Sequence, residues 1–228
     1  MKILIATIKQ WNIDHAVKMA EQYKDMHDIK IVSQKQQLSI DMLEQFRPDM
    51  IFFPHWSYKI PADIYENYLC VVFHMTALPF GRGGSPLQNL IVRGIYNTKI
   101  SAVRVTEEID AGPIYMKKPF LLEGSAQEIY CGISEVIFND MIPAFLEGGL
   151  TTVQQEGEAV YFKRRTPEQS RIPEGLSQQQ IYDYIRMMDA QGYPRAYIDM
   201  GRCRMMFYHA HMENGMLRAE VEIKEEPL

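Results

Sequence analysis

The chain has 228 residues, 46% of them hydrophobic and 23% charged, with a formal net charge of -5 at pH 7. These proportions predict one medium-sized globular domain with an appendage, and no apolar run approaches the roughly 20 residues that a membrane span requires. The negative charge disfavours broad nucleic-acid binding, and scattered cysteines behind an amino terminus without a secretory apolar region predict a cytoplasmic protein with reduced thiols.

The first part of the chain predicts strands that alternate with helices. The expected strands are Lys2–Ala6, Asp28–Val32 and Met50–Phe53, and the expected helices are Asp14–Tyr23 and Ser39–Phe46. This alternation is typical of a parallel sheet covered by helices. The loop after the first strand lacks the G-x-G-x-x-G pattern, so dinucleotide binding of the Rossmann kind has no support.

A connection rich in aromatic and polar residues, PHWSYKI, follows the third strand at positions 54–60. One interpretation is a packed surface loop, and the other is the wall of a ligand pocket. Within it, His55 is expected to have a structural role.

The stretch from Cys70 to Ile91 combines a buried strand with a histidine and a glycine-rich turn. Cys70–Phe73 is predicted as a central strand with His74 at its carboxyl end, where open α/β sheets bind ligands. The alternative is a structural histidine in the core or at the surface, whose ring has hydrogen-bond partners but no catalytic role. In the following turn, Gly81, Gly83 and Gly84 permit backbone conformations that other residues cannot adopt, and Arg82 offers a fixed set of hydrogen-bond donors. Ser85 and Pro86 are predicted as N-cap and first residue of a helix that continues to Ile95.

Two further strands, Lys99–Val105 and Ile114–Leu122, enclose a loop that contains Asp110. Asp110 could be a turn residue before Gly112 or a functional carboxylate. Ser125 and Glu128 form a capping-box pattern that predicts a helix through Phe145, which the pair Gly148-Gly149 ends.

The composition changes at Phe162, where three basic residues precede a polar, proline-containing stretch. We therefore predict a catalytic core at residues 1–161, a linker at 162–176, and a C-terminal subdomain at 177–228 with one helix and a β-hairpin. Asn214-Gly215 marks the hairpin turn, and the final KEEPL is expected to be frayed. His209 and His211 alternate along a strand, so no metal site is expected. The predicted fold class is α/β, with a Rossmann-like, mostly parallel sheet flanked by helices and a small α+β C-terminal appendage.

Two motifs carry a resemblance to a known family. The first is made by His74, Leu78-Pro79, Arg82-Gly83 and Pro86, and the second is EEIDAGPI at Glu107–Ile114. In this order and spacing they resemble the signature of the 10-formyltetrahydrofolate-dependent N-formyltransferases, over residues 1 to 165. The resemblance implies an enzyme that moves the formyl group of 10-formyltetrahydrofolate, its cofactor and formyl donor, to an amine. One position departs from the family pattern, because Val72 stands where the family usually has asparagine.

The resemblance also implies roles for individual residues. Formyl transfer needs a base, donors for the developing oxyanion, and a group that orients the base. His74 would act as the base and as part of the donor set, and Asp110 would orient it. The substitutes for the donor missing at Val72 are His74 itself, Thr76, Gln88 and Asn89. The folate-pocket candidates are Trp56, Ser57, Tyr58, Lys59, Ile60, Glu108, Ile109 and Asp110. The substrate-binding candidates are Arg82, Gly83, Gly84, Ser85 and Pro86.

Three acceptors compete within the family: methionyl-tRNA, glycinamide ribonucleotide and a nucleotide-linked amino sugar. The segments FKRRTPEQS and IYDYIRMMDAQGYPRAY resemble the tails of sugar N-formyltransferases, which favours a nucleotide-linked amino sugar. Lys163, Arg164 and Arg165 could then meet phosphates, or form a solvated basic turn. The first alternative is a methionyl-tRNA or other small-amine formyltransferase, and the second is a catalytically impaired relative that binds folate or a nucleotide sugar. The oligomeric state is open, a homodimer included.

Overall fold

The computed structural model describes residues 1–225 of the chain. Its strands are β1 (Lys2–Ala6), β2 (Asp28–Val32), β3 (Met50–Phe53), β4 (Cys70–His74), β5 (Phe80–Gly83), β6 (Asn97–Arg104), β7 (Ile114–Leu121), β8 (Val160–Phe162), β9 (Ala196–Met200), β10 (Cys203–Glu213) and β11 (Met216–Glu225). Its α-helices are α1 (Gln10–Tyr23), α2 (Ile40–Phe46), α3 (Ala62–Tyr65), α4 (Pro86–Ile91), α5 (Ala126–Val136), α6 (Ile142–Glu147) and α7 (Gln178–Arg186). A π-helical turn, Ile137–Met141, joins α5 to α6.

The contacts divide the chain into two compact units. The first unit contains Met1–Arg82, Lys99–Phe120 and Cys131–Tyr161, and the second contains Gly83–Thr98, Leu121–Tyr130 and the chain from Phe162 onward. This division differs from the predicted one. Two segments of the expected core belong to the second unit, and the expected linker is tied into that unit. The backbone N–H of Ile172, for example, donates to the carbonyl oxygen of Tyr197 at 2.8 Å.

A six-stranded sheet with the order β2-β1-β3-β4-β6-β7 forms the centre of the first unit. The pairs β1–β2, β1–β3 and β3–β4 are parallel, whereas β4 and β6 are antiparallel. Ile3, Leu4 and Ile5 of β1 are fully buried because both faces of this central strand are covered. The predicted α/β class with a mostly parallel sheet is confirmed. The first helix begins at Gln10, earlier than predicted. This start was missed because Lys9, at the N-cap, is not a residue type that signals a helix start through its side chain.

One helical stretch in residues 1–225, Ala126–Glu147, is long and apolar enough to cross a membrane by length and composition alone. Half of its apolar window is buried inside the protein. The core helix of a globular protein passes the same test, so this stretch is weak evidence for a membrane span. The predicted cytoplasmic location stays a prediction.

The second unit contains an antiparallel sheet of β11, β10 and β9 together with α7. The predicted helix is α7, which the capping box of Ser177 and Gln180 opens, and Asn214 and Gly215 both adopt positive φ at the predicted hairpin turn. The hairpin is extended by a third strand, β9. The expected fraying of residues 224–228 is wrong for residues 224 and 225, which belong to β11, and residues 226–228 lie outside the described residues.

The start of α4 corrects one detail of the prediction. Pro86 is the first helical residue, but Ser85 does not cap the helix through its side chain. Ser85 has a left-handed backbone (φ 48°), and its Oγ accepts a hydrogen bond from the backbone N–H of Arg165 at 3.0 Å. The helix ends at Ile91, before the left-handed Gly94, instead of at Ile95. The hydroxyl of Ser85 therefore joins two chain segments that are distant in sequence.

Candidate active site

His74 is the last residue of β4 and lies at the carboxyl end of that strand, as the sequence predicts. β4 is held between β3 and β6, and His74 stands opposite Ser101 of β6. Cys70 and Val71 at the start of the strand are buried, which anchors the backbone that presents the imidazole. His74 itself is 8% exposed, so it is enclosed but still reaches the surface of the first unit.

His74 and Asp110 meet through their side chains. Nδ1 of His74 lies 3.4 Å from Oδ2 of Asp110, and the exposed fractions of the two side chains are 9% and 13%. A single proton between these atoms makes the contact attractive. The other ring nitrogen, Nε2, lies 2.7 Å from the carbonyl oxygen of Gly81. Because a carbonyl oxygen only accepts, Nε2 donates in this bond. The surroundings thus offer acceptors to both ring nitrogens.

The loop that carries Asp110 has a constrained backbone. Asp110 adopts φ 57°, a left-handed conformation that few residues other than glycine tolerate. Two residues later, a Cβ at Gly112 would overlap the carbonyl oxygen of Arg104, so only glycine fits there. The backbone N–H of Arg104 in turn donates to the carbonyl oxygen of Pro113 at 3.0 Å. The loop is therefore packed tightly against the end of β6.

Arg82 lies in a network within the first unit. Its Nε and Nη2 donate to Oε1 of Gln155 at 3.1 and 2.8 Å, and its Nη1 donates to Oε1 of Glu108 and to the hydroxyl of Tyr161 at 3.2 and 2.9 Å. Gln155 links Arg82 to the Asp110 loop, because its Nε2 donates to the carbonyl oxygens of Asp110 and Gly112. Arg82 thus has a role inside the protein, and its contact with a substrate stays a prediction. No sequence motif marks Gln155 or Tyr161, and the sequence analysis missed both.

Thr76, a predicted oxyanion donor, is fully buried in the first unit. Its Oγ1 donates to the carbonyl oxygen of Gly81 at 3.4 Å, and its own carbonyl oxygen accepts from Oγ of Ser101 at 2.7 Å. The hydroxyl therefore has a partner within the protein.

Asn89, the other predicted donor, belongs to the second unit. Its Nδ2 donates to the carbonyl oxygens of Gly84, Ser85 and Lys163 at 3.0, 3.1 and 3.0 Å. Both amide hydrogens are used by these bonds, which hold the start of α4 against the segment after β8.

The two glycines of the predicted substrate loop have a packing reason. A Cβ at Gly83 would lie 2.6 Å from the carbonyl oxygen of Phe162, and a Cβ at Gly84 would lie 2.7 Å from Cα of Arg164. The close approach of these two segments explains the glycines without a ligand. Beside them, the guanidinium of Arg165 lies 5.8 Å from the ring centroid of Tyr184, and its Nη2 donates to the carbonyl oxygen of Gln169.

The connection after β3 forms an aromatic cluster in the first unit. Trp56 packs edge-on against Phe53 and Tyr58, with ring centroids 6.0 and 5.2 Å apart. Ile60 is buried in the core, whereas Ser57, Tyr58 and Lys59 are exposed. Within residues 1–225, the backbone of residues 56–60 forms no hydrogen bond with the rest of the protein. Its donors and acceptors are available to a ligand beside an apolar wall.

The other two folate-pocket candidates flank the carboxylate of Asp110. Glu108 pairs with Arg82 and accepts a hydrogen bond from the hydroxyl of Tyr161 at 2.5 Å. Ile109 is 61% exposed, which is high for a large apolar side chain. The loop therefore presents one apolar side chain next to the His74–Asp110 pair.

Burial shifts the pKa of several groups in the first unit, among them His55, Cys70 and Lys117. Burial, with the nearby charge of Lys9, lowers the pKa of His55 to about 4. Burial raises the pKa of the Cys70 thiol to about 12, which makes it an unreactive core residue. Burial and the charge of Lys99 lower the pKa of Lys117, whose Nζ donates to the carbonyl oxygen of Leu78. In the described part of the chain, no group of three or more His, Cys, Asp or Glu side chains is arranged to hold a metal ion.

A family model and a curated relative that match this chain both carry the name methionyl-tRNA formyltransferase. A family model described as methionyl-tRNA formyltransferase, C-terminal domain, matches residues 167–224. The methionyl-tRNA formyltransferase of Streptococcus pyogenes serotype M28 is 24% identical over 220 residues, which are 93% of this chain and 67% of that protein. The chain spans about half to two thirds of the length of the curated relatives it matches.

Solved structures extend the comparison to the whole chain. The structure titled methionyl-tRNA formyltransferase from Clostridium thermocellum has 50% sequence identity and a TM-score of 0.97, covering 99% of this chain and 100% of that chain. HypX from Aquifex aeolicus in complex with tetrahydrofolic acid has 20% identity and a TM-score of 0.75, covering 93% of this chain and 38% of that chain. The second likeness shows the fold alone.

Proposed function

Because this chain belongs to the formyltransferase family, we propose that it moves the formyl group of 10-formyltetrahydrofolate to an amine, with His74 and Asp110 as the acid–base pair. The observation that carries the proposal is the contact of 3.4 Å between Nδ1 of His74 and Oδ2 of Asp110. The contact joins a titratable ring to a carboxylate at the carboxyl end of a parallel strand, where α/β proteins bind substrates.

The formyl donor of this family is 10-formyltetrahydrofolate, and the residues of the first unit fit it. The unpaired backbone groups of residues 56–60 suit the hydrogen-bonding edge of a pterin, and the rings of Trp56 and Tyr58 offer an apolar wall. Trp56 and Val105, which precedes the Asp110 loop, pack against the same buried cluster. When bound, the donor supplies the formyl carbon, and its nitrogen leaves with a proton.

The proton transfers are assigned to His74. An amine must attack as a neutral nucleophile and lose a proton as the new carbon–nitrogen bond forms, and the leaving nitrogen must gain one. We assign this proton to His74, whose Nε2 would exchange the carbonyl oxygen of Gly81 for the reacting amine, while Asp110 stabilises the charged ring. Asp110 also fixes the orientation of the imidazole, since the carboxylate and the carbonyl of Gly81 contact opposite ring nitrogens.

The donor for the developing oxyanion is also assigned to His74. Thr76 and Asn89 donate to carbonyl oxygens of the protein, and Val72 has no donor in its side chain. Nε2 of His74 also donates to a carbonyl oxygen, that of Gly81, so His74 is chosen for the positive charge that its ring can carry and not for a free hydrogen. A charged imidazole close to the reacting carbon favours negative charge on the formyl oxygen. His74 would then serve as proton carrier and as electrostatic stabiliser at different moments of the reaction.

The first candidate for the acceptor is the amine of methionyl-tRNA. A solved structure named methionyl-tRNA formyltransferase is 50% identical over 99% of this chain, and a curated relative of the same name is 24% identical over 93% of it. A model of that family's C-terminal domain matches residues 167–224, which belong to the second unit. These names favour tRNA over the amino sugar that the tail of the sequence suggests. A tRNA acceptor would also need a surface for its phosphates.

The second candidate, a nucleotide-linked amino sugar, is favoured by the charges of the C-terminal sheet. Its arginines face carboxylates: Arg202 pairs with Glu225 at 2.8 Å, and Arg204 pairs with Asp199 at 2.8 Å. Arg195 lies between Asp189 and Glu222 at 3.7 and 3.9 Å. Paired arginines attract phosphates weakly, and a small acceptor needs fewer phosphate contacts than tRNA.

One assay tests both the reaction and the acceptor. Purified protein with 10-formyltetrahydrofolate is offered methionyl-tRNA or a panel of nucleotide-linked amino sugars, and release of tetrahydrofolate is followed. We expect release with one class of acceptor, lost in Asp110→Asn and retained in the control Asp25→Asn, which changes an exposed residue after α1. A folded protein that binds folate and releases none with any acceptor would instead be a binding relative without transferase activity.

A further inference from the structure

We propose that Gln155 is a positioning residue for this reaction, because its amide ties Arg82 to the backbone of the loop that carries Asp110. The inference rests on the proposed formyl transfer and adds a residue that does not itself contact the reacting pair. Gln155 would act through the loop, by setting where the carboxylate of Asp110 stands relative to the ring of His74.

The amide of Gln155 is fully used by four hydrogen bonds. Its Oε1 accepts from Nε and Nη2 of Arg82, at 3.1 and 2.8 Å. Its Nε2 donates to the carbonyl oxygens of Asp110 and Gly112, at 2.7 and 2.8 Å. A side-chain amide has two acceptor positions and two hydrogens, so these bonds exhaust its capacity. No other hydrogen-bonding residue type of this length satisfies both sides.

Arg82 determines which way the amide points. A flipped amide would place its NH2 group against the guanidinium and its oxygen against two carbonyl oxygens, so all four contacts would become repulsive. Arg82 cannot lose its proton in a protein, and its side chain is only 11% exposed. Glu108 and the hydroxyl of Tyr161 hold the other side of the guanidinium. The guanidinium of Arg82, held by Glu108 and Tyr161, thus fixes the orientation of the Gln155 amide.

The loop gains from such support because its internal hydrogen bond is long. Asp110 has a positive φ of 57°, and within the loop the N–H of Ala111 bonds to the carbonyl of Glu108 at a long 3.3 Å. Nε2 of Gln155 donates to the carbonyl oxygens of Asp110 and Gly112, the residues on either side of Ala111. The segment of Gln155 is in turn anchored, because Val153 exchanges backbone hydrogen bonds of 2.9 and 2.8 Å with Ile114. The segment that carries Gln155 is therefore tied to the first residue of β7, just after the Asp110 loop.

Two substitutions separate positioning from general packing. Gln155→Met keeps the length of the side chain and removes all four bonds, whereas Gln155→Glu keeps the acceptor for Arg82 and turns an oxygen toward the two carbonyls. The matched control is Gln154→Met, which changes the neighbouring residue, exposed and without a hydrogen bond in the described chain. We expect kcat to fall roughly ten- to hundredfold in both Gln155 variants and to be unchanged in the control, because small displacements of catalytic groups cost this much.

A second substitution at the active site shows whether Gln155 acts through Asp110. If it does, Gln155→Met adds little to the loss caused by Asp110→Asn, because the carboxylate that it positions is already gone. Losses that multiply in the double variant would contradict the proposal. So would equal losses in Gln155→Met and Gln154→Met, since these would indicate a general effect on the segment.

A readout without turnover separates this inference from the proposed function. In protein with 15N-labelled histidine, the Nδ1 signal of His74, assigned with His74→Gln, reports the contact with Asp110. We expect this signal and its pH titration to change in Gln155→Met, Gln155→Glu and Asp110→Asn, and to stay as in the wild type in Gln154→Met. If the wild type transfers no formyl group, the proposed function fails while this test still applies. An unchanged His74 signal in both folded Gln155 variants would overturn the inference.

Discussion

His74 ends strand β4 and Asp110 lies in the loop between β6 and β7, yet Nδ1 of His74 lies 3.4 Å from Oδ2 of Asp110. Both side chains are nearly enclosed, which strengthens the interaction between a charged ring and a carboxylate. Each residue is positioned by separate means: His74 by the end of β4 and the carbonyl of Gly81, Asp110 by Gln155 and Gly112.

The first prediction concerns this pair. His74→Gln and Asp110→Asn should each lower kcat by about a hundredfold or more, since each removes proton transfer or its control. The fold should persist, because neither side chain belongs to the apolar core. Tetrahydrofolate release measures kcat, and circular dichroism checks folding. Near wild-type turnover in both variants would show that another group carries the proton.

The second prediction places folate beside residues 56–60. The chain has two tryptophans, so Trp11→Phe leaves Trp56 as the single tryptophan. Its fluorescence should change when tetrahydrofolate binds, because the ligand enters beside the ring. The matched variant Trp56→Phe retains Trp11 and should show little change. A response carried by Trp11 alone would move the folate site elsewhere in the first unit.

The third prediction concerns Val72, the position that departs from the family. Val72 packs against Leu78, Val103 and Ile114. Val72→Asn should destabilise the protein by roughly 1 to 3 kcal/mol, since it places an amide against apolar side chains. It should not raise kcat if His74 stabilises the oxyanion, as we propose. Urea unfolding and kcat are compared with Val72→Thr, and a sharp rise of kcat in Val72→Asn would show that no substitute donor exists.

The fourth prediction separates structure from catalysis at Asn89. Its amide donates to three carbonyl oxygens, so Asn89→Ala should lower stability by about 1 to 3 kcal/mol through unpaired carbonyls. Asn89→Asp should be at least as destabilising, because it turns an oxygen toward those carbonyls. Urea unfolding measures both effects. If Asn89→Ala unfolds like the wild type while kcat falls, the amide acts on the substrate instead.

The fifth prediction is a loss of stability in acid. The pKa of His55 is lowered to about 4, so between pH 6.5 and 4 the unfolded chain binds a proton that the folded protein does not. Stability is therefore lost as the pH falls through this window, by roughly 2 to 3 kcal/mol at pH 4.5. His55→Asn, which tolerates the positive φ of 55°, should lose less between pH 7 and 4.5. Equal losses in the two proteins would assign the acid sensitivity to other groups.

Local signals in the sequence predict much of the fold. The apolar runs at Lys2–Ala6 and Met50–Phe53 become strands at these positions, because a strand covered on both faces must be apolar throughout. The capping box at Ser177 and the Asn214-Gly215 turn act within a few residues, so the sequence shows them directly. The antiparallel pairing of β4 and β6 has no such signal, because it depends on where distant segments meet in the sheet.

The sequence by itself determined the candidates for catalysis, His74 and Asp110, because residue type and motif spacing are local properties. Only the tertiary structure decided which partners they and their neighbours have. Gln155 lies far along the chain from Arg82 and Asp110, and Ser85 bonds Arg165 instead of capping its own helix. A polar side chain can pair with any donor or acceptor within reach, and what lies within reach is set by the packing of the whole sheet and its loops.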